Sequence, residues 1–330
     1  MARPNRPVHG SRGYSPRKRA ESQVCRIKAW PEIEGKPKIQ GFAGYKVGMT
    51  HAHVLDYRPH STTSGQEVQM PVTIVEVPPM KVAAVRTYKE TPYGLQTITE
   101  VWASGVDSDL ISLPENYKPD FSEMDKFNGE TADVRVLAYT TPELITGVPK
   151  KNPELMEVRI GGGNVQERLE YAKSVLGKDV DVSETIREGD MLDAIAVTKG
   201  FGFQGHVKRY GVKLLSHKNS KHRRMIGTSG SFTPHYIKPG TPQAGQDGYQ
   251  QRTQYNMRVL KIGEKGEEIN PQGGFLHYGL VRNKYVMFHG SLPGPTKRLI
   301  RFRDAIRYQR GIKVEKAQIN FVSTESKQGA

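Results

Sequence analysis

From residue 42 onward, apolar and polar positions alternate in short runs separated by turn residues. Residues 42–54, 68–77, 81–88 and 95–102 are rich in β-branched and aromatic side chains, which predicts antiparallel strands. The run PVTIVEV from Pro71 to Val77 has the two-residue period of a half-buried strand, and Pro78-Pro79 closes it by removing backbone donors. Residues 134–139 and 155–160 also read as strands. Between 165 and 176 the period changes: Val165, Leu169, Ala172, Val175 and Leu176 fall on one helical face. Strand character returns at 191–198 behind the turn Glu188-Gly189-Asp190, then at 257–262, 274–281 and 285–289. No internal repeat at a solenoid period is present.

This order predicts a mainly β protein: a small barrel interrupted by an α/β insertion and by a long polar segment. The expected layout is a basic N-terminal extension at 1–40, the first part of the barrel at 41–104 and the α/β insertion at 105–182. A barrel strand and glycine-rich turn follow at 183–206, then a basic finger loop at 207–256, barrel completion at 257–293 and a basic C-terminal segment at 294–330. A loop of about fifty residues without regular structure is uncommon in a compact domain unless it is functional and ordered by a partner.

Charge gives that loop its meaning. The 330-residue chain has a formal net charge of +15, very unevenly spread. Residues 198–258 hold eleven Lys/Arg against one acid, Asp247, with nine glycines and seven aromatics among them. Residues 1–30 hold eight basic residues and one acid, residues 294–316 eight and two, whereas residues 100–193 hold ten basic and twenty acidic residues. Basic arms around an acidic body concentrate phosphate affinity in particular places, so nucleic acid is the first partner to expect. The lone Cys25 forms no internal disulfide and builds no usual zinc site, which points to a reducing, cytoplasmic setting. No run approaches 18 apolar residues, and the charged segments carry Gly and Pro in place of an amphipathic stripe, so no membrane role is expected.

The candidate chemistry lies in these basic stretches. Gly200, Gly202 and Gly205 would let backbone N–H groups approach phosphate, with Lys199, Lys208 and Arg209 supplying charge and Phe201 or Phe203 a stacking face. This GxGxxG lacks the amphipathic helix of a dinucleotide site. Lys218, Lys221, His222, Arg223 and Arg224 lead into Phe232 and His235, which read as a finger with an aromatic tip; Phe232 as a core residue is the alternative. The histidines have no carboxylate or thiol at ligand spacing, so no metal is expected. Tyr249 and Arg252 close the segment, and Arg12, Arg17, Lys18 and Arg19 charge the N-terminal arm. Lys297 and Arg298 precede Leu299-Ile300-Arg301-Phe302-Arg303, whose alternation sets Arg301 and Arg303 opposite Ile300 and Phe302. Those arginines would meet a polyanion or guard a solvated edge strand. Gly161-Gly162-Gly163 opens a helix, but Asn164 with Glu167 three residues on is a capping box that explains the pattern without an anion. No Walker A, G-x-S-x-G or H-E-x-x-H motif occurs.

The strings VTKGFGFQGHVKRYGV, KHRRMIGTSGSFTPH, GQDGYQQRTQYNMRVLKIG and SLPGPTKRLIRFRDAIR, with PRKRA at residues 16–20, closely resemble the ribosomal protein L3 family of the large subunit in its archaeal and eukaryotic type. The resemblance implies a split six-stranded barrel like that of translation factors, an α/β insertion, and two extended arms that penetrate large-subunit RNA. It implies a single copy per ribosome, in contact with RNA and neighbouring proteins, that helps early assembly and braces RNA around the peptidyl-transferase centre and the region through which aminoacyl-tRNA enters. No catalytic residue, cofactor or small-molecule substrate is implied. His222 falls where eukaryotic relatives have a methylatable histidine, Phe232 where they have a fingertip tryptophan, and Phe201 where the family has a basic residue. Two other readings stay open: an RNA-modifying enzyme holding a nucleotide-like cofactor at Gly161–Gly163, and a free regulatory RNA-binding protein.

Overall fold

The computed structural model describes residues 14–58, 60–106, 110–111, 117–127, 129–233, 235–308, 315–326 and 328. In chain order its strands are β1 (Lys38–Ile39), β2 (Gly41–Leu55), β3 (Glu67–Glu76), β4 (Met80–Thr91), β5 (Gly94–Trp102), β6 (Asp133–Tyr139), β7 (Leu155–Gly161), β8 (Asp179–Val180), β9 (Met191–Val197), β10 (Gly200–Gln204), β11 (Gly245–Gly248), β12 (Gln251–Gly263), β13 (Tyr285–His289), β14 (Leu299–Asp304) and β15 (Ile319–Val322). The helices are short: α1 (Ser122–Lys126), α2 (Val165–Val175), α3 (Val182–Thr185) and α4 (His206–Tyr210). The chain divides into two compact units, one gathering the N-terminal segment to Ser22 with Val197–Gln251, the other Gln23–Ala196 with Arg252–Ala330.

The second unit is built on two sheets. In the larger, strands follow the order β14-β9-β12-β13-β3-β2-β15, and β14 pairs with β2 as well as β9, so the pairing closes into a ring of six strands. The fifteen residues of β2 make this closure possible. One edge pairs with β3 along most of its length, while the other takes β14 at residues 41–45 and β15 at residues 52–54. Ring closure removes free sheet edges and shuts apolar side chains away from water. Phe288 of β13 and Phe302 of β14, each at most 1% exposed, stack with centroids 4.6 Å apart.

The second sheet runs β1-β7-β6-β4-β5, with β8 on β4. Here the expected layout is corrected: β4 and β5 were assigned to the barrel, yet β4 pairs with β6 and β5 and belongs to the sheet of the insertion. Alternation makes a segment a strand but does not name its partner, and Pro78-Pro79 ends β3 so that β4 starts in another sheet. Helix α2 buries Leu169 and Ala172 on the face anticipated from sequence, and its capping box is formed.

Two further expectations change. Residues 274–281 are no strand but a tight turn, with Phe275 N–H donating to Gly279 O at 2.8 Å and positive φ at Gly274, His277 and Gly279. The buried Glu76 carboxylate holds the chain beyond that turn, accepting from the N–H groups of Arg282 (3.2 Å) and Asn283 (3.0 Å) and from Asn283 Nδ2 (2.8 Å). Strand β12 begins at Gln251, not at 257, so the polar segment is shorter than its composition suggested.

Candidate nucleic-acid interface

The first unit is assembled from residues that cannot make a core. Strands β10 and β11 form an antiparallel ribbon that registers Gly200 with Gly248 and Gln204 with Gly245. Two backbone bonds extend it, Tyr249 N–H to Lys199 O at 2.9 Å and Thr198 N–H to Gln250 O at 3.0 Å. The segment around Gly200, expected as a turn, is thus a strand bulged between Gly200 and Gly202. Gly248 has φ +70, and a Cβ there would sit 2.0 Å from Lys199 O, so the register tolerates only glycine.

Side chains lock this stem. Arg209 donates from Nε to Gln246 O (3.1 Å) and from a terminal nitrogen to Gln243 O (3.0 Å), tying α4 to the strand return. Arg17 lies over the Tyr210 ring at 4.6 Å, and Ala20 N–H donates to Tyr249 O at 2.8 Å. The N-terminal arm and the finger stem therefore share a unit. Tyr210 carried no sequence signal of this role, because its partner is almost two hundred residues away. Between them opens a cleft of about 940 Å³ lined by Lys18, Arg19, Gly200, Gly202, Phe203 and Tyr249.

Beyond the stem, Leu215 N–H donates to Arg223 O at 2.9 Å, and Arg223 Nε returns a bond to Leu215 O at 3.3 Å. The turn this closes has positive φ at Ser220 and Lys221. It leaves Lys218, Lys221, His222, Arg223 and Arg224 exposed. Phe232 is 85% exposed and sits edge-on to His235 at 4.6 Å, so it is a surface residue and not a core residue. Phe201 (60%), Phe203 (78%) and Tyr236 (66%) are also open. Among the described residues from 198 to 256, none is buried. Large aromatic faces thus lie open through a cationic segment that holds one acid.

The remaining expected positions scatter. Lys199, Gly205 and Lys208 are exposed on the first unit, Arg252 is half-buried on β12, and Arg12 lies outside the described residues. Lys297 is exposed and Arg298 half-buried before β14. Arg301 and Arg303 overturn the expectation of a polyanion-facing or edge strand. Strand β14 is paired on both edges, with β9 and β2, so it is no edge strand; the arginines are 4% and 6% exposed because Cys25, Ala29 and Glu157 cover the face they project from. Arg303 binds the buried Asp193 carboxylate at 3.1 Å, and Arg301 donates to the backbone carbonyls of Cys25 and Glu157. Burial lowers the Arg301 pKa to about 10 and pushes the Cys25 thiol up to about 11. A thiol so raised is a poor nucleophile.

The glycine triplet offers no open anion site. Arg168 donates to Gly162 O (2.7 Å) and Gly163 O (3.2 Å), and the Glu167 carboxylate occupies the helix start by accepting from Asn164 N–H at 3.3 Å. Among the described residues, no group of three or more His, Cys, Asp or Glu is placed to hold a metal, and no helix is long and apolar enough to cross a membrane.

Comparison with known proteins agrees with the motifs. The family model described as Ribosomal protein L3 matches residues 1–113 and 115–329. The large ribosomal subunit protein uL3 of Archaeoglobus fulgidus is 55% identical, over 98% of this chain and 99% of its own length. Those of Picrophilus torridus and Thermoplasma acidophilum are 48% and 49% identical over the whole of both chains. With the family model spanning nearly all of its length and relatives about half identical from end to end, the chain belongs to the ribosomal protein L3 family.

Proposed function

We propose that this chain is a structural component of the large ribosomal subunit, in the cytoplasm, that binds large-subunit ribosomal RNA and performs no catalysis. The observation that carries the reading is the stretch 198–256: rich in Lys and Arg, studded with exposed aromatics, and without one buried side chain among its described residues. RNA supplies what such a segment lacks, phosphates for the cations and unpaired bases for the rings.

In this reading the closed ring is the six-stranded barrel that rests on folded RNA, and neighbouring ribosomal proteins are its other contacts. Lys18, Arg19, Lys199 and Lys208 neutralise phosphates around the stem cleft. Lys218, Lys221, His222, Arg223 and Arg224 do so along the finger, and Lys297, Arg298 and Arg252 do so on the second unit. Phe232 and Tyr249 offer stacking faces. Arg209 holds the stem, and Arg301 and Arg303 have no part in RNA contact because they are enclosed. The finger braces RNA near the peptidyl-transferase centre, and docking of the arms assists early assembly. The reaction depends on the chain only through the position in which RNA is held.

Sucrose-gradient fractionation of cell extract tests the assignment. The protein is expected with large subunits and ribosomes; a predominant soluble pool away from them would favour a free regulatory protein.

A further inference from the structure

Residues 24–31 lead from the basic N-terminal segment into β1, and they join neither sheet of the second unit. They are nevertheless half inside it. Cys25 (2% exposed) and Ile27 (8%) point inward, whereas Arg26 and Lys28 are exposed. Gly41 keeps room for the ring of Trp30: a Cβ at that position would lie 3.1 Å from its Cζ3. An enclosed strand without a sheet partner leaves its carbonyls without donors, which is costly unless side chains supply them.

Arginine side chains do so here. Arg301 donates to Cys25 O at 2.5 Å and, from its other terminal nitrogen, to Glu157 O on β7. Arg303 donates to Ala29 O at 2.6 Å while Asp193 holds its other face. Gln40 Nε2 donates to Pro31 O at 2.7 Å. The apolar anchors alone would not fix register. A slip of one residue would turn Arg26 and Lys28 inward, and the carbonyl contacts forbid that slip.

We propose that Arg301 and Arg303 are positioning residues that clamp Cys25 and Ala29, so that the basic N-terminal arm leaves the second unit from a fixed root and not from a slack tether. The role rests on the RNA-binding reading above. An arm fixed at this root as well as at Arg17 and Ala20 loses less conformational freedom on binding RNA than one held at Arg17 and Ala20 alone, so the clamp raises affinity without touching a phosphate.

The test uses the full chain, in vitro transcribed large-subunit RNA and a salt series. Arg301→Ala is expected to lower affinity by about five- to thirty-fold, the range that loss of one or two good hydrogen bonds brings. The slope of log affinity against log salt is expected to stay unchanged, and trypsin is expected to cut faster after Lys28. In a background carrying Arg17→Gln, Lys18→Gln and Arg19→Gln, where the arm has little charge to deliver, the same substitution is expected to lose most of its effect. Arg301→Lys, which keeps the charge and reaches a single carbonyl, is expected to fall between wild type and alanine, and it serves if the alanine variant does not fold. A slope reduced by about 0.7–0.9 would mean that Arg301 meets a phosphate directly, and the proposal would be wrong. It would equally be wrong if the loss were undiminished in the arm-neutral background, or if Lys28 were cut no faster. A wild-type chain whose binding ignores salt would instead undermine the RNA-binding reading itself.

Discussion

At the scale of single residues, the first unit relies on side chains that face water and glycines that face backbone. Phe232 packs on little besides His235, so Phe232→Ala is expected to leave folding unchanged. Loss of its stacking face is expected to weaken RNA contact at the fingertip by about 1–3 kcal/mol, read by chemical probing of RNA in reconstituted subunits. Subunits that failed to assemble at all would contradict so local a role. Gly248 behaves in the opposite way, since its φ of +70 and its approach to Lys199 O leave no room for a side chain. Gly248→Ala is expected to break the stem ribbon, costing at least about 1–2 kcal/mol from the left-handed conformation alone. Hydrogen exchange at Tyr249 N–H, bonded to Lys199 O, is the readout. Unaltered protection there would refute this reading of the stem.

At the scale of elements, β14 shows what the sequence carries and what it conceals. The alternation of Ile300 and Phe302 with Arg301 and Arg303 correctly marks a strand, and an isolated strand with that pattern has a dry face and a wet one. Neither face is wet here: Phe302 packs on Phe288 on one side, and on the other, segments distant in sequence bring Asp193 and the Cys25 and Ala29 carbonyls to the arginines. Those partners leave no local periodic trace. The same limit explains β4 and β5, read correctly as strands but placed in the wrong sheet, and residues 274–281, whose Tyr278 hydroxyl donates to Glu76 far upstream. By contrast, α2 was legible to its capping box, since Asn164 and Glu167 act within one turn. The exposed cations and aromatics of the finger were legible too, because exposure of a polar, glycine-rich segment needs no distant partner. Arg303→Ala follows from this enclosure: it strands the Asp193 carboxylate, wholly buried, without its cation. A loss of about 3–5 kcal/mol is expected in denaturant unfolding. A loss below 1 kcal/mol would mean that Asp193 is held well enough by the N–H groups of Asn256 and Ile306, which also donate to it.

At the scale of the whole molecule, the charge of the chain and its burial are segregated in the same way. Among the described residues the second unit holds the two sheets, nearly all the buried side chains and the acidic stretch, whereas the first is dominated by cations, glycines and open rings. In the proposed reading such a surface draws most of its affinity for RNA from phosphate neutralisation. If about 6 to 10 phosphates are met, binding to large-subunit RNA is expected to weaken by about 10³ to 10⁵ between 50 and 200 mM salt. A flat response would remove phosphate contact as the dominant contribution. The central claim is that the finger gains its packing from RNA and not from the protein. Hydrogen exchange over residues 212–241 in the free protein and in purified large subunits tests this most directly. Rapid exchange in the free chain and strong protection in the subunit are the expected pair of results; equal protection in both states would contradict it.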